Sequence, residues 1–242
     1  MEEGKPLSSI YGYVFDGIIQ QGETYNAQPN SVPGDPKFKD LNGDKIIDEN
    51  DREVLGHGTP SVILGLSNTF TCKNFDFSFF LESSLGGKML NLTRIYLEDN
   101  NRLKDSEERW TPGGRRMTDE KGDSHTTSGN ASHSVPRKGY QRSSEIQYGS
   151  YINPRFVENS DYLKLRNIEL GYTLPLKKEG RTINYIKAVR IFIGAQNLFT
   201  ITSYKGFDPD ISTNGGSAIA QGLDLNSYPT YRTFNFGAKV TF

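Results

Sequence analysis

The last eleven residues of the chain constrain its fold more than any other stretch. From Arg232 to the end, Phe234, Phe236, Ala238, Val240 and Phe242 are apolar, while Thr233, Asn235, Gly237, Lys239 and Thr241 are small or polar. Side chains of an extended strand alternate between two faces, so this run predicts a strand with one apolar face and one polar face. Its length matches the roughly 9–11 residues that a strand needs to cross a bilayer.

Four further segments carry the same period. Val62, Leu64, Leu66 and Phe70 alternate with Gly65, Ser67 and Thr69. Phe75, Phe77, Phe79 and Leu81 alternate with Asp76, Ser78 and Glu82, and Phe80 interrupts the polar set. Val189, Ile191, Ile193 and Ala195 alternate with Arg190, Gly194 and Gln196. Within 162–174, Leu163 and Leu165 alternate with Lys164 and Arg166; the phase then slips at Asn167, after which Ile168, Leu170, Tyr172 and Leu174 take over. A one-residue slip turns the side chains over, so a β-bulge near Asn167 is expected. Ile10 to Gln20, with Gly12 and Gly17 inside it, is a weaker strand candidate.

The gaps between these six segments run about 40 residues (21–60), three (72–74), about 75 (87–161), roughly 14 (175–188) and about 30 (201–230). Long and short gaps alternate, as in outer-membrane barrels with short periplasmic turns and long outer loops. The expected fold is all-β: antiparallel strands with long outer loops, about six of them, forming the C-terminal portion of a large transmembrane β-barrel over residues 1–242. With Phe242 on the periplasmic side, parity places 21–60, 87–161 and 201–230 outside. The smallest barrels have about 8 strands, so closure requires strands beyond these, expected upstream.

Composition narrows the function. Formal net charge is −1, and the basic pairs Arg115–Arg116 and Lys177–Lys178 are short, which argues against nucleic acid. There are 14 Phe and 13 Tyr, yet mean hydropathy is −0.61. An aromatic outer surface around a polar lumen reconciles the two. No apolar run approaches the roughly 20 residues of a spanning helix. The residues after Met1 form no secretory signal, having no apolar core after Glu2, Glu3 and Lys5. The three histidines, His57, His125 and His133, are scattered, and no nucleophile–base order or phosphate loop stands out, so no enzyme is expected. The lone Cys72 reads as an incidental turn residue; Trp110, in the longest loop, reads as a packed side chain, the other reading being a ring that stacks on a sugar or contacts a partner lipoprotein.

One motif points to a metal. Asp40, Asn42, Asp44, Asp48 and Asp51 fall at positions 1, 3, 5, 9 and 12 of a twelve-residue loop, and Ile46 at position 7 offers its carbonyl. This spacing wraps oxygens around one point, as calcium requires. Lys45 replaces the usual glycine at position 6, and Asp51 is a shorter arm than glutamate. The expected cofactor is a structural Ca2+ that stiffens an outer loop. The other reading is an Asx-rich turn without an ion.

Several stretches together resemble the SusC/RagA family of TonB-dependent outer-membrane transporters of Bacteroidetes. They are Tyr11-Gly12-Tyr13-Val14-Phe15-Asp16-Gly17, Pro33-Gly34-Asp35 with Asp40-Leu41-Asn42-Gly43-Asp44, and Asn74-Phe75-Asp76. Arg109-Trp110-Thr111-Pro112 and the run from Arg155 through Tyr162-Leu163-Lys164-Leu165-Arg166-Asn167 to Tyr172 continue the likeness. Gln196-Asn197-Leu198, Gly206-Phe207-Asp208-Pro209 and Tyr228-Pro229 complete it. The resemblance implies a plugged barrel of roughly 22 strands. It implies outer-membrane lipid around the barrel, a SusD-like surface lipoprotein above it and contact with the TonB complex through N-terminal parts absent here. The implied ligands are glycans or peptides. Transport by this segment alone is not expected. Phe242 resembles the terminal aromatic by which the insertion machinery recognises barrels. A soluble, calcium-dependent β-sandwich that binds carbohydrate is the competing reading, and it leaves the alternation of loop lengths unexplained.

Overall fold

The computed structural model describes residues 3–99, 116–118, 124–126, 136, 152–176, 186–213, 217 and 219–242. Trp110, Arg115, His133 and Lys177–Lys178 lie outside them. In chain order come β1 (Ser9–Tyr13), β2 (Phe15–Ile18), β3 (Pro36–Phe38), β4 (Arg52–His57), β5 (Val62–Cys72), β6 (Phe75–Leu85) and β7 (Lys88–Asn91). Then follow the helix α1 (Leu92–Asp99), β8 (Arg116–Thr118), β9 (Ser124–Thr126), β10 (Val157–Asn159), β11 (Tyr162–Leu174), β12 (Ala188–Thr202), β13 (Leu223–Asp224) and β14 (Thr233–Thr241). They divide into two units: Met1–Gly58, Met89–Glu158 and Thr213–Asn226 form the first, and Thr59–Lys88, Asn159–Ser212 and Ser227–Phe242 the second.

The second unit is an antiparallel sheet of five strands in the order β14-β12-β11-β6-β5. Neighbours in the sheet follow one another in the chain, apart from the elements inserted between β6 and β11 and between β12 and β14. The insertions leave from one end of the sheet. At the other end Lys73 and Asn74 alone join β5 to β6, because Cys72 pairs with Phe75. The turn is tight enough to put Lys73 at φ +52°. The expected long and short connections are therefore sorted to opposite ends.

Register explains the two faces. Phe70, Phe77, Leu170, Ile193 and Phe236 form one row across all five strands. Beside it run Phe79, Ile168, Ala195 and Phe234, then Phe75, Tyr172, Ile191 and Ala238. Phe75 and Tyr172 rings lie 4.6 Å apart. Little of the protein covers this face: Ile193 is 60% exposed and Phe236 89%. The opposite face carries Thr71, Asp76, Gly171, Phe192 and Gly237 on one row and Thr69, Ser78, Glu169, Gly194 and Asn235 on the next. Phe80, which interrupts the polar set in the sequence, lies on this face with its ring against Gly65, where an added Cβ would stand 3.3 Å from it.

The bulge falls where the phase slip predicts it. Leu165 pairs with Leu81 and Asn167 with Phe80, leaving Arg166 as the extra residue on β11. On the other side Leu165 pairs with Phe199 and Asn167 with Gln196, so Asn197 and Leu198 face Arg166 alone. Asn197 takes φ +51° to make that turn, a conformation asparagine tolerates better than most residues.

The first unit holds the segment read from sequence as a sixth strand of the same sheet. Ile10 to Gln20 instead breaks into β1, which pairs with β4, and β2, which pairs with β3. Gly12 is the reason β1 can sit there: a Cβ on it would run into the Ile152 carbonyl and the Leu55 side chain. Tyr13, Ala27, Phe38 and Ile47 form one buried cluster, and Ile10, Leu90 and Phe156 another. Asn91, the last residue of β7, caps α1, its Oδ1 accepting from the Arg94 N–H at 2.8 Å.

Candidate functional site: the polar face of the sheet and the acidic loop

The polar face is tied together by ion pairs in two groups. Toward the end with the short turn, Arg190 on β12 donates to Asp76 on β6, Nε to Oδ1 at 2.9 Å and Nη2 to Oδ2, and to Glu169 on β11 at 2.7 Å. It reaches over Gly171, where a side chain would strike its guanidinium.

Toward the end with the long insertions, Lys164 and Arg166 meet Glu82, Asp208 and Asp210. Lys164 is fully buried, with Nζ 3.0 Å from Asp208 and 3.2 Å from Asp210. Arg166 holds Glu82 with two parallel bonds of 3.0 and 2.9 Å and Asp210 with a third of 2.6 Å. The Tyr162 hydroxyl stands 2.8 Å from Glu82 and 2.9 Å from Asp210. Asp208 also accepts from the Thr230 N–H at 3.1 Å. The segment after β12 is thus clasped to the polar wall by strand cations. Burial pushes the Asp208 carboxyl up, but hydrogen bonds from Thr230 and Lys164 and from the Asp210 N–H outweigh it and hold it below the usual carboxylate range.

Sequence reasoning placed Lys164 and Arg166 on the polar face but did not pair them. Asp208 entered only as part of a family resemblance, since a partner 44 residues away leaves no local periodicity. The usable signal was two cations facing inward on a strand, which a wall of this kind must neutralise.

The acidic loop folds in the first unit. Asp40 accepts from the Gly43 and Lys45 N–H groups at 2.6 and 2.8 Å, Asn42 from Asp44 at 3.0 Å, and Asp44 from Ile46 at 2.8 Å. Asp48 caps the short turn Glu49–Asp51 by accepting from the Asn50 N–H at 2.8 Å. Asp51 is fully buried and accepts from the Leu41 and Asp48 N–H groups at 2.8 and 2.9 Å. The side-chain oxygens thus turn toward main-chain amides. Among the described residues no three His, Cys, Asp or Glu side chains are gathered around one point as metal ligands. Lys45, at the position where calcium loops favour glycine, has φ +68°. His57 ends β4 and His125 lies in β9. Cys72 is exposed beside the β5–β6 turn. Phe242 follows β14 and is 73% exposed.

An antiparallel meander with an exposed apolar face, an ion-paired polar face and connections sorted by length is a section of the wall of a transmembrane β-barrel. Among the described residues it is not closed: β5 and β14 are the outermost strands of the sheet. No family model matches the sequence. The chain resembles TonB-dependent receptors along its whole length. It is 32% identical over 252 residues to TonB-dependent receptor P3 of Formosa agariphila, covering 100% of this chain and 23% of that protein. It is 28% identical over 231 residues to TonB-dependent receptor SusC of Bacteroides thetaiotaomicron, covering 96% of this chain and 20% of SusC. The chain therefore spans less than a quarter of these relatives. Among solved structures it matches the RagAB peptide importer in the closed-closed state with a TM-score of 0.65 and 23% identity, over 100% of this chain and 24% of that one. The RagAB peptide transporter matches with a TM-score of 0.63 and 22% identity, over 97% and 23%. These last two likenesses establish the fold.

Proposed function

We propose that this chain forms part of the wall of a TonB-dependent transporter in the outer membrane, which imports oligosaccharides or peptides and does not transport through this segment alone. The row Phe70–Phe77–Leu170–Ile193–Phe236 carries the reading, because an uncovered apolar band across five strands suits lipid and not water. A soluble carbohydrate-binding sandwich would bury that row between two sheets. The TonB complex would act through parts of the protein outside this chain, and a SusD-like lipoprotein would sit over the end with the long insertions. Uptake of labelled oligosaccharides and peptides tests this in cells carrying the full-length protein, residues 1–242 alone, or the full-length protein without TonB. Uptake only in the first supports it; equal uptake without TonB contradicts it.

Calcium in the acidic loop is a second, separable part of the proposal. It is supported by the ligand spacing of Asp40, Asn42, Asp44, Ile46, Asp48 and Asp51 and by the left-handed backbone at Lys45. An ion would draw oxygens away from the amides they now accept from. Terbium luminescence on the full-length protein tests it: a signal displaced by calcium and lost in Asp44→Ala is expected, and no signal refutes it.

A further inference from the structure

Four of the five strands reach one common rung, Ile63–Ser84–Tyr162–Thr202. β14 does not: it begins at Thr233, opposite Gln196. Beyond that point and past the bulge, where the Asn197 side chain donates to the Tyr231 carbonyl at 3.4 Å, β12 from Phe199 to Thr202 pairs with β11 on one side, and no described strand pairs with it on the other. Main-chain groups on an open strand edge form a template for another extended chain.

A cleft runs along this edge. Asn197, Thr200 and Thr202 line one side, and Phe207, Pro229 and Arg232 the other. The far wall is anchored, because Lys164 grips Asp208 and Asp208 grips Thr230. Pro209 and Pro229, which also line it, have no N–H and cannot themselves complete a ladder with β12. Arg232 is exposed and makes no ion pair among the described residues, and Phe207 is 72% exposed.

We propose that this cleft binds an extended peptide, which adds as a short strand to the Phe199–Thr202 edge of β12 and sets a carboxylate against Arg232. Strand addition supplies affinity through main-chain hydrogen bonds. The guanidinium supplies direction, since it recognises a carboxylate with two parallel bonds. A glycan would use neither the ladder geometry nor a fixed terminal charge. The inference rests on the transporter reading above and narrows it to a site and a ligand class.

The test uses purified full-length protein in lipid nanodiscs and a fluorescent pentapeptide of alternating valine and threonine with a free carboxylate. Saturable binding is expected. N-methylation of one alternating set of amides should weaken it at least about tenfold and methylation of the other set should not, because only one set faces the edge. Arg232→Gln, or amidation of the peptide's carboxylate, should each weaken binding about five- to tenfold, and the two together no further. Absence of saturable binding overturns the inference, as does indifference to methylation or equal displacement by maltoheptaose. Membrane insertion and TonB-dependent uptake of the same protein are measured alongside. If insertion fails the transporter reading falls, whereas if insertion and uptake succeed without peptide binding at the cleft, only this inference falls.

Discussion

Arg190 and Asp76 are joined across a whole strand: the guanidinium leaves β12, lies over Gly171 of β11 and meets the carboxylate on β6. The absence of a side chain at residue 171 makes the bridge possible. Both partners are about a quarter exposed, 25% and 27%, so the pair contributes little beyond the range of a surface ion pair, about 1 kcal/mol or less. Gly171→Ala and Asp76→Asn should therefore each destabilise the assembled barrel by about that amount. They remove the same contact, so the double variant should cost no more than either single one. Denaturant unfolding in detergent measures this; full additivity would show that Gly171 is needed for something else.

The clasp at Lys164 is stronger because it is buried. Lys164→Met leaves Asp208 without its cation, and loss of one partner of a buried pair costs about 3–5 kcal/mol. The segment 203–232 should then be cut by protease in conditions where the parent protein resists. The conservative Lys164→Arg tests whether charge alone suffices; a single buried ammonium site suggests it will not restore full resistance.

Acid should open the same clasp. The Asp208 carboxyl lies below its ordinary value in the folded protein. Its contribution is fully present above the unfolded value of about 3.9 and is lost as pH falls through the lower, folded one. Protease resistance of 203–232 should thus hold at about pH 5 and fail only below about pH 4. Loss between pH 6 and 7 would point to a histidine instead.

Periodicity made much of the sheet legible. The last strand, the β5–β6 hairpin and the bulge at Arg166 follow from a period of two and one slip in it. Period alone cannot name a strand's partner, so from sequence Ile10 to Gln20 looks like a member of the same sheet. β1 and β2 pair locally with β4 and β3, and Gly12 marks a close main-chain approach instead of a barrel strand. The clasp stayed hidden for a related reason: Asp208, Asp210 and Thr230 carry no pattern of their own and acquire a role only once β11 sets Lys164 and Arg166 opposite them. The acidic loop shows its ligand spacing plainly, yet the same oxygens serve Asx turns equally well.

In the acidic loop, Asp51 should matter more than Asp44 for closure. Asp51→Ala removes the buried acceptor of two partly buried amide donors, Leu41 and Asp48, at about 1 kcal/mol or more. Asp44 is exposed and accepts from one main-chain amide and from the Asn42 side chain, both at the surface, so Asp44→Ala should cost a few tenths of a kcal/mol. Hydrogen exchange at residues 40–51 measures both, and equal protection in the two variants would contradict the ranking.

Deleting Phe242 should act on assembly more than on stability. Burying one such ring is worth about 1.5–3 kcal/mol, small beside a large barrel. The outer-membrane level of the full-length protein should fall sharply, while barrels already assembled unfold at nearly the same temperature. Normal surface levels would return Phe242 to an ordinary lipid-facing position.

The central claim is that one face of the five-stranded sheet meets lipid and the other a polar interior. Nitroxide labels placed singly at positions 193 and 236, and at 194 and 235, in the full-length protein in bilayers test it directly. Labels replacing Ile193 and Phe236 should collide with dissolved oxygen and be shielded from a water-soluble nickel chelate. Labels replacing Gly194 and Asn235, one residue along on the same strands, should show the reverse. If all four report the same aqueous surroundings, the sheet is not part of a membrane wall.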